Sequence, residues 1–335
     1  MPFDRVIVMG ASAGGVEALR AVVAGLPPDL PCPVLVVLHV PRTGTSALPG
    51  ILSRSGPLPA THALDGEELR EGHIFVAPGD HHLLVLDGRA RLTHGPTENG
   101  HRPAVDPLFR SAARAYGAGA IGVVLSGSRD DGAAGILAIG RSGGITVTQD
   151  PDDTLYPWMP LAAAEYTHID HVAPAAKLGP LLGEQARLPV AAPPRTADPL
   201  LDAEVEQARL SPLSTDEIDG AAEAGLGCPS CGGALWRLGA GQPPRFRCRV
   251  GHAWSPESLL EQQAGAVESA LWVALRALTE KSALGRQMAD HPGRRHNSLG
   301  RRYADMADEA EHAAALIRRL IGLFDGPVEH DPSRG

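Results

Sequence analysis

Three short runs of this 335-residue chain carry side chains able to do covalent chemistry. The first, Gly10-Ala-Ser12-Ala-Gly14-Gly15, follows the apolar run Arg5-Val-Ile-Val-Met9 and precedes Val16-Glu-Ala-Leu-Arg20. It matches the G-x-S-x-G pattern of a nucleophile elbow, a strand–turn–helix with a hydroxyl at its apex. A helix N-terminus behind that serine offers unpaired N–H groups and partial positive charge, which favour an alkoxide and the oxyanion it forms. The second run, Pro33-Val-Leu-Val-Val-Leu38, delivers His39. The third, Ala120-Ile-Gly-Val-Val-Leu125, runs into Ser126-Gly-Ser-Arg-Asp130-Asp131-Gly132. A hydroxyl, an imidazole and a carboxylate gathered on one rim are what acyl transfer to serine requires. The imidazole takes the serine proton, and the carboxylate fixes the tautomer and steadies the charge.

Each residue also has a plain reading. A glycine-rich strand–helix turn can cradle phosphate, although glycines at 10, 14 and 15 do not spell G-x-G-x-x-G and no G-K-[ST] follows. The turn alone leaves both uses open. His39 by itself could cap a strand end, and Asp130 or Asp131 could cap the helix that starts near Gly132. Arrival of all three types at separate strand ends favours catalysis. The order Ser…His…Asp differs from the Ser…Asp…His of α/β-hydrolases, so that likeness is confined to the elbow. The other early histidines (His62, His73, His81, His82, His94 and His101) fall in loops or a hairpin and read as mainly solvent-facing.

A second constellation lies far downstream. Cys228-Pro-Ser-Cys231 and, sixteen residues on, Cys248-Arg-Val-Gly-His252 make a C-x2-C…C-x3-H set. Four such ligands in two short loops suit a closed tetrahedral Zn²⁺ site with a structural role. The plain alternative is reduced thiols in an ordinary loop, and a redox C-x-x-C is disfavoured because no βαβ pattern surrounds it. Arg237, Arg245, Arg247 and Arg249 form a local basic cluster that reads as a solvated ribbon face. Cys32, between prolines, reads as a buried strand-end thiol.

These residues must be positioned by an α/β framework. Strands are expected at Val6–Met9, Pro33–Leu38, His73–Ala77, Ala120–Leu125, Ile145–Gln149 and Ile169–Val172, all short continuous apolar runs of the kind covered on both faces. Helices are expected at Gly15–Ala24, Ser46–Arg54, Val105–Tyr116, Ala133–Ser142 and Leu161–Tyr166. The alternation predicts a doubly wound, mostly parallel sheet, with ligands beyond the carboxyl ends of its strands. Asp87-Gly88 between two strand-like runs, His81–Leu86 and Arg89–Thr93, signals a type I′ hairpin insertion. The expected organisation is a catalytic domain over 1–187, a linker over 188–225, and a small zinc-ribbon-like module over 226–255. A helical hairpin or coiled coil over 256–324 and a tail over 325–335 complete it. The helical part places Trp272 and the leucines on an apolar side suited to a partner or to dimerisation.

Composition sets the remaining bounds. A hydrophobic content of 43% with 21% charged residues is ordinary for a soluble globular chain. The net charge of −9 argues against nucleic-acid binding by the whole chain. No signal-peptide pattern or membrane-length apolar run is present, and four cysteines are too few and too clustered for a secreted disulfide scaffold. A cytoplasmic protein is expected.

The same residues carry a family likeness. Gly10–Gly15, His39-Val-Pro-Arg42 and Ser126-Gly-Ser-Arg-Asp-Asp-Gly-Ala-Ala-Gly135 resemble the catalytic domain of CheB-type protein-glutamate methylesterases. So do His73-Ile-Phe-Val-Ala-Pro-Gly-Asp80, Arg102-Pro-Ala-Val-Asp-Pro-Leu-Phe109 and Gln149-Asp150…Met159-Pro160, in the family's order over about residues 3–183. The resemblance implies Ser12 as nucleophile, His39 as proton shuttle and Asp131, preferred over Asp130, as its orienting partner. It also implies hydrolysis of glutamate γ-methyl esters on chemoreceptor helices, with receptor glutamine deamidation in some members and no catalytic cofactor. Two departures stand out. The chain starts at the first catalytic strand, where a typical member has a phosphorylatable receiver domain, so control by aspartyl phosphorylation within the chain is not expected. Gly127-Ser-Arg129 replaces a Gly-Met-Gly, putting Ser128 where many members have a methionine. Two rival functions follow from the same residues: a regulatory binding module that kept the fold, and an esterase in a non-chemotactic pathway.

Overall fold

The computed structural model describes residues 3–44, 46–190, 198–209, 222–238, 244–294 and 297–324. The chain divides into two compact units, 1–259 and 260–335.

The first unit is organised by a seven-stranded sheet whose pairs are all parallel. Its strands are β1 (Val6–Ala11), β2 (Val34–Leu38), β3 (Ala60–His62), β4 (Ile74–Val76), β7 (Ala120–Val124), β8 (Ile145–Gln149) and β9 (His171–Ala173), in the order β3-β4-β2-β1-β7-β8-β9. Side chains alternate across a strand, so a strand buried on both faces must be apolar throughout. Along β1, Ile7, Met9 and Ala11 enter one core, while Val6 and Val8 enter the other. Along β2, Val34, Val36 and Leu38 face the first core, and Leu35 and Val37 the second.

The first core is covered by α1 (Gly15–Ala24), α2 (Leu48–Ser55) and α6 (Ala175–Gln185), through residues such as Leu19, Val22, Leu52, Leu178 and Leu182. The second is covered by α3 (Val105–Tyr116), α4 (Ala133–Arg141), α5 (Trp158–Tyr166) and α7 (Pro199–Ala208). The hairpin β5 (His82–Leu86) and β6 (Arg89–Thr93) adds Leu83, Val85 and Ala90 to that second core. Asp87 and Gly88 at its tip both have positive φ (50° and 72°), as a type I′ turn demands.

β3 and α6 lie outside the expected elements, and α7 occupies part of the span expected to be a linker. Asp198 caps α7 by accepting from the Leu201 amide, and Pro199 occupies the first turn, where a proline costs no hydrogen bond. Leu201 and Val205 then bury against α3 and the hairpin side of the sheet.

Still within the first unit, β10 (Glu223–Gly227), β11 (Ala234–Leu238), β12 (Arg245–Cys248) and β13 (Ala253–Trp254) form a four-stranded antiparallel ribbon. Its core is small: Cys228, Leu235, Cys248, Trp254 and Leu259. The arginines expected on a solvated face are partly drawn inward. Arg247 is buried, and its guanidinium meets Glu204 (3.0 Å) and Gln207 (2.6 Å) on α7 and Glu98 (3.3 Å) ahead of α3. Arg245 pairs with Glu204 at 2.8 Å, and Arg110 on α3 pairs with Glu98. This buried charge cluster fastens ribbon, α7 and α3 together.

The second unit consists of most of α8 (Pro256–Asp290) and of α9 (Ser298–Phe324). They approach closely at Gly285, where a Cβ would lie 3.0 Å from the Ala307 Cβ. Trp272, expected on the apolar side, is exposed with Val267 and Val273, whereas Leu271, Leu275 and Leu278 are half-buried. Trp272 and Val273 turn away from the face of Leu271, Leu275 and Leu278, since each residue advances about 100° around the helix.

Candidate active site

Ser12, His39 and Asp131 converge beyond the carboxyl ends of β1, β2 and β7, the rim on which open parallel sheets bind ligands. Sheet hydrogen bonds continue into these loops and fix them. The Ser12 amide donates to the Ser126 carbonyl (3.0 Å), the His39 amide to the Ala11 carbonyl (3.2 Å), and the Leu125 amide to the Gly10 carbonyl (2.9 Å). Gly14 turns with φ of 69°, and a Cβ there would sit 2.7 Å from the Ser126 Oγ. That Oγ donates to the Ala13 carbonyl at 2.8 Å, bracing the elbow from the neighbouring strand end.

The three side chains form one hydrogen-bonded line. His39 Nδ1 stands 3.1 Å from Ser12 Oγ, and His39 Nε2 stands 2.7 Å from Asp131 Oδ2. An ionised carboxylate only accepts, so Nε2 carries the proton and Nδ1 is left as the base facing the serine. Asp131 has further donors: the amides of Val105 (2.7 Å) and Asp106 (3.3 Å) and the Asn99 Nδ2 (3.2 Å). Those amides open α3, whose own N-cap residue Ala104 supplies no side-chain bond. Asp131 therefore caps α3 from another element and sits at the positive end of its dipole. Burial alone would raise the Asp131 pKa, but the His39 hydrogen bond and charge and the Val105 amide hold it below the usual carboxylate range.

Of the two adjacent aspartates, Asp131 is the one that reaches His39. Asp130 turns away from His39 and accepts from Ser255 Oγ (2.8 Å) and Ser258 Oγ (3.0 Å). Chiefly through burial its pKa is pushed up to about 6.

Several neighbours of the site carry no local sequence signal. His101 is stacked on His39, ring centroids 3.7 Å apart and planes within 10°. Burial, then the His39 charge, push its pKa down to about 4, so it covers the imidazole as a neutral ring. His82 and His73 are buried as well, against the expectation that these histidines face solvent. Burial first, and then the Asp131 charge, push the Asp106 pKa up to about 8. Met159 is fully buried beside Ser12: a Cβ on Gly127 would lie 2.0 Å from Met159 Sδ and 3.0 Å from Ser12 Cβ. The local Asn99-Gly100 pair does announce a turn, and both residues have positive φ, but nothing local announces what Asn99 touches.

The second constellation also assembles. One ligand atom from each of Cys228, Cys231, Cys248 and His252 lies within 4.8 Å of the others. Cys231 Sγ and Cys248 Sγ are 3.6 Å apart, and Cys248 Sγ is 3.5 Å from His252 Nδ1. A tetrahedral zinc with bonds of ~2.3 Å to sulfur needs ligand separations of ~3.8 Å. The donor set and its spacing fit that ion. Cys32 is buried, and burial pushes its thiol up to about 12, so it is a packing residue. No helix among the described residues is long and apolar enough to cross a membrane.

Comparison with known proteins finds a family likeness over the first half of the chain. The family model described as CheB methylesterase matches residues 7–182. A protein-glutamate methylesterase/protein-glutamine glutaminase from Anaeromyxobacter dehalogenans is 42% identical over 183 residues, covering 55% of this chain and 54% of the relative. One from Xanthomonas oryzae pv. oryzae is 41% identical over 175 residues, 51% of this chain and 49% of the relative. The chain thus spans about half the length of the curated relatives it matches. The crystal structure of the Thermotoga maritima CheB methylesterase catalytic domain aligns with a TM-score of 0.52 and 33% identity, over 54% of this chain and 98% of that one. Sheet order, strand-end site and matched residues lead to one assignment: this chain belongs to the CheB methylesterase family.

Proposed function

We propose that this chain is a serine hydrolase that removes γ-methyl esters from glutamate side chains on chemoreceptor helices, in chemotaxis-type sensory adaptation in the cytoplasm. Hydrolysis of a glutamine amide is the companion reaction of the same site, as the relatives' names indicate for them. The observation that carries this reading is the continuous hydrogen-bonded line Ser12–His39–Asp131 at the sheet's carboxyl rim.

Ser12 Oγ attacks the ester carbonyl while His39 Nδ1 takes its proton. Asp131, held ionised, keeps the Nε2 proton in place and stabilises the imidazolium. Stabilisation of the developing oxyanion is assigned to backbone N–H groups at the start of α1. Collapse expels methanol, protonated by His39, and leaves a glutamyl ester on Ser12. Water then attacks that ester with His39 again as base, releasing the glutamate carboxylate and the free serine.

Zinc, bound through Cys228, Cys231, Cys248 and His252, would supply structural cross-linking of the ribbon, since four protein ligands leave no position for substrate. The helical unit is the natural place for a further protein partner.

The test is methanol release from methylated receptor. The full chain should release methanol and Ser12→Ala should not; equal release by both would refute the reading.

A further inference from the structure

The ribbon does not hang apart from the triad. His252, a member of the Cys/His cluster, is followed directly by Ala253, which is bonded to the strip of backbone that carries Asn99. The Ala253 amide donates to the Thr97 carbonyl (3.3 Å), and the Asn99 amide donates to the Ala253 carbonyl (2.9 Å). Two residues on, the Ser255 amide donates to Asn99 Oδ1 at 2.9 Å. That contact leaves Asn99 Nδ2 to point at Asp131 Oδ1 (3.2 Å) and Asp106 Oδ2 (3.4 Å). Ser255 Oγ meanwhile holds Asp130, the residue before the triad aspartate. Asn99 is 4% exposed and held in the left-handed region (φ 51°), so its side chain depends on these partners for its direction.

The other end of the connection is the cluster itself. The Cys248 amide donates to the His252 carbonyl (3.1 Å) and the Gly251 amide to the Cys248 carbonyl (2.9 Å), so the ligand turn and Ala253 move as one. Trp254 Nε1 reaches Cys228 Sγ at 3.4 Å, tying the residue between Ala253 and Ser255 to the opposite ligand pair. Among the described residues the ribbon's own core has five buried side chains, whereas the sheet under Ser12 is backed by two far larger cores.

We propose that the Cys/His ribbon is a metal-dependent clamp on the triad aspartate, with Asn99 as the positioning residue through which it acts. The inference rests on the triad reading given above. Metal at Cys228, Cys231, Cys248 and His252 fixes the 252–255 strip; that strip orients the Asn99 amide; the amide fixes the Asp131 carboxylate that orients His39. Metal loading thereby sets the fraction of molecules with an aligned triad, without any metal contact to substrate.

The experiment uses the full chain, zinc-replete and then stripped by a chelator under reducing conditions. Zinc is counted by atomic emission, the His39 Nε2–H···Asp131 proton is followed as a low-field ¹H NMR signal, and methanol release is measured in parallel. Replete protein should carry about one zinc per chain and show the low-field signal. Stripping should abolish the signal and slow turnover by about 10–100-fold, and added zinc should restore both. Asn99→Ala guards against simple unfolding of the stripped ribbon. It should keep its zinc, lose the signal, turn over as slowly as stripped protein, and slow no further on stripping. The proposal is overturned by an unchanged signal and rate after stripping, by less than about half an equivalent of zinc in replete protein, or by Asn99→Ala losing less than about twofold. A zinc-dependent signal in protein that releases no methanol would uphold the clamp and count against the esterase reading.

Discussion

The sheet and the ribbon hold catalytically relevant groups in opposite ways. The sheet positions Ser12, His39 and Asp131 by burying apolar side chains on both faces of strands that end together, backed by two extensive cores. The ribbon positions Ala253 and Ser255 with, among the described residues, five core side chains, a Cys/His cluster and buried ion pairs. Hydrophobic burial is non-directional and tolerates much. Ligand geometry and buried charge are directional, and they fail abruptly when one partner is lost. The same pocket therefore combines a robust half, carrying Ser12 and His39, with a conditional half that, on the proposed reading, steadies Asp131.

Substitutions can separate the halves. The largest effect belongs to the sheet. His39→Ala should lower methanol release by about 10⁴-fold or more while the zinc content stays at the wild-type level. A loss of zinc together with activity would mean that the two halves are not separable. Next comes the charge cluster. Glu204 is driven to about 2 because Arg245, Arg110 and Arg247 outweigh the penalty of burial. A carboxylate depressed in the folded state adds stability that is present above its ordinary value of 4.5 and lost as pH falls toward 2. Glu204→Gln should cost about 3–5 kcal/mol at neutral pH by chemical denaturation, because it strands buried arginines. A loss that is just as large below pH 3 would contradict the assignment.

How much of this was legible beforehand differs between the halves for the same physical reason. Strand ends are written locally, as apolar runs closed by Gly10, His39 and Ser126, so Ser12, His39 and Asp131 could be read along with the sheet. The hairpin was readable from Asp87-Gly88. β3 has only three residues, and α6 carries Gly179-Pro180 within it, so neither shows a clear period. The ribbon's Cys/His cluster was readable from spacing, but its attachment was not. Arg247 meets Glu98 across 149 positions, and Ser255 meets Asn99 across 156, and no local pattern records such partners. His101 was misread for that reason too: its loop looks polar, yet it closes over His39.

A smaller test strikes the sheet half from within. Gly127→Ala places a methyl against Met159 and Ser12, and overpacking of this kind costs about 1–3 kcal/mol. Activity should fall and zinc content should not. The smallest effect concerns Asp130, whose folded pKa of about 6 lies above the ordinary 3.8, mainly through burial. The folded state then binds the extra proton, so this residue favours folding below 3.8 and loses that contribution as pH rises through 6. Asp130→Asn should raise the melting temperature at about pH 8 and leave it unchanged at about pH 3. A gain at both values would point to packing instead of charge.

The most direct measurement is to look for the acyl-enzyme's surrogate on the nucleophile itself. The full chain is treated with a serine-directed acylating probe, and the adduct is located by peptide mass spectrometry. The account predicts a single modified hydroxyl at Ser12, abolished in His39→Ala although Ser12 is still present. Modification elsewhere, or labelling of Ser12 that persists without His39, would contradict it.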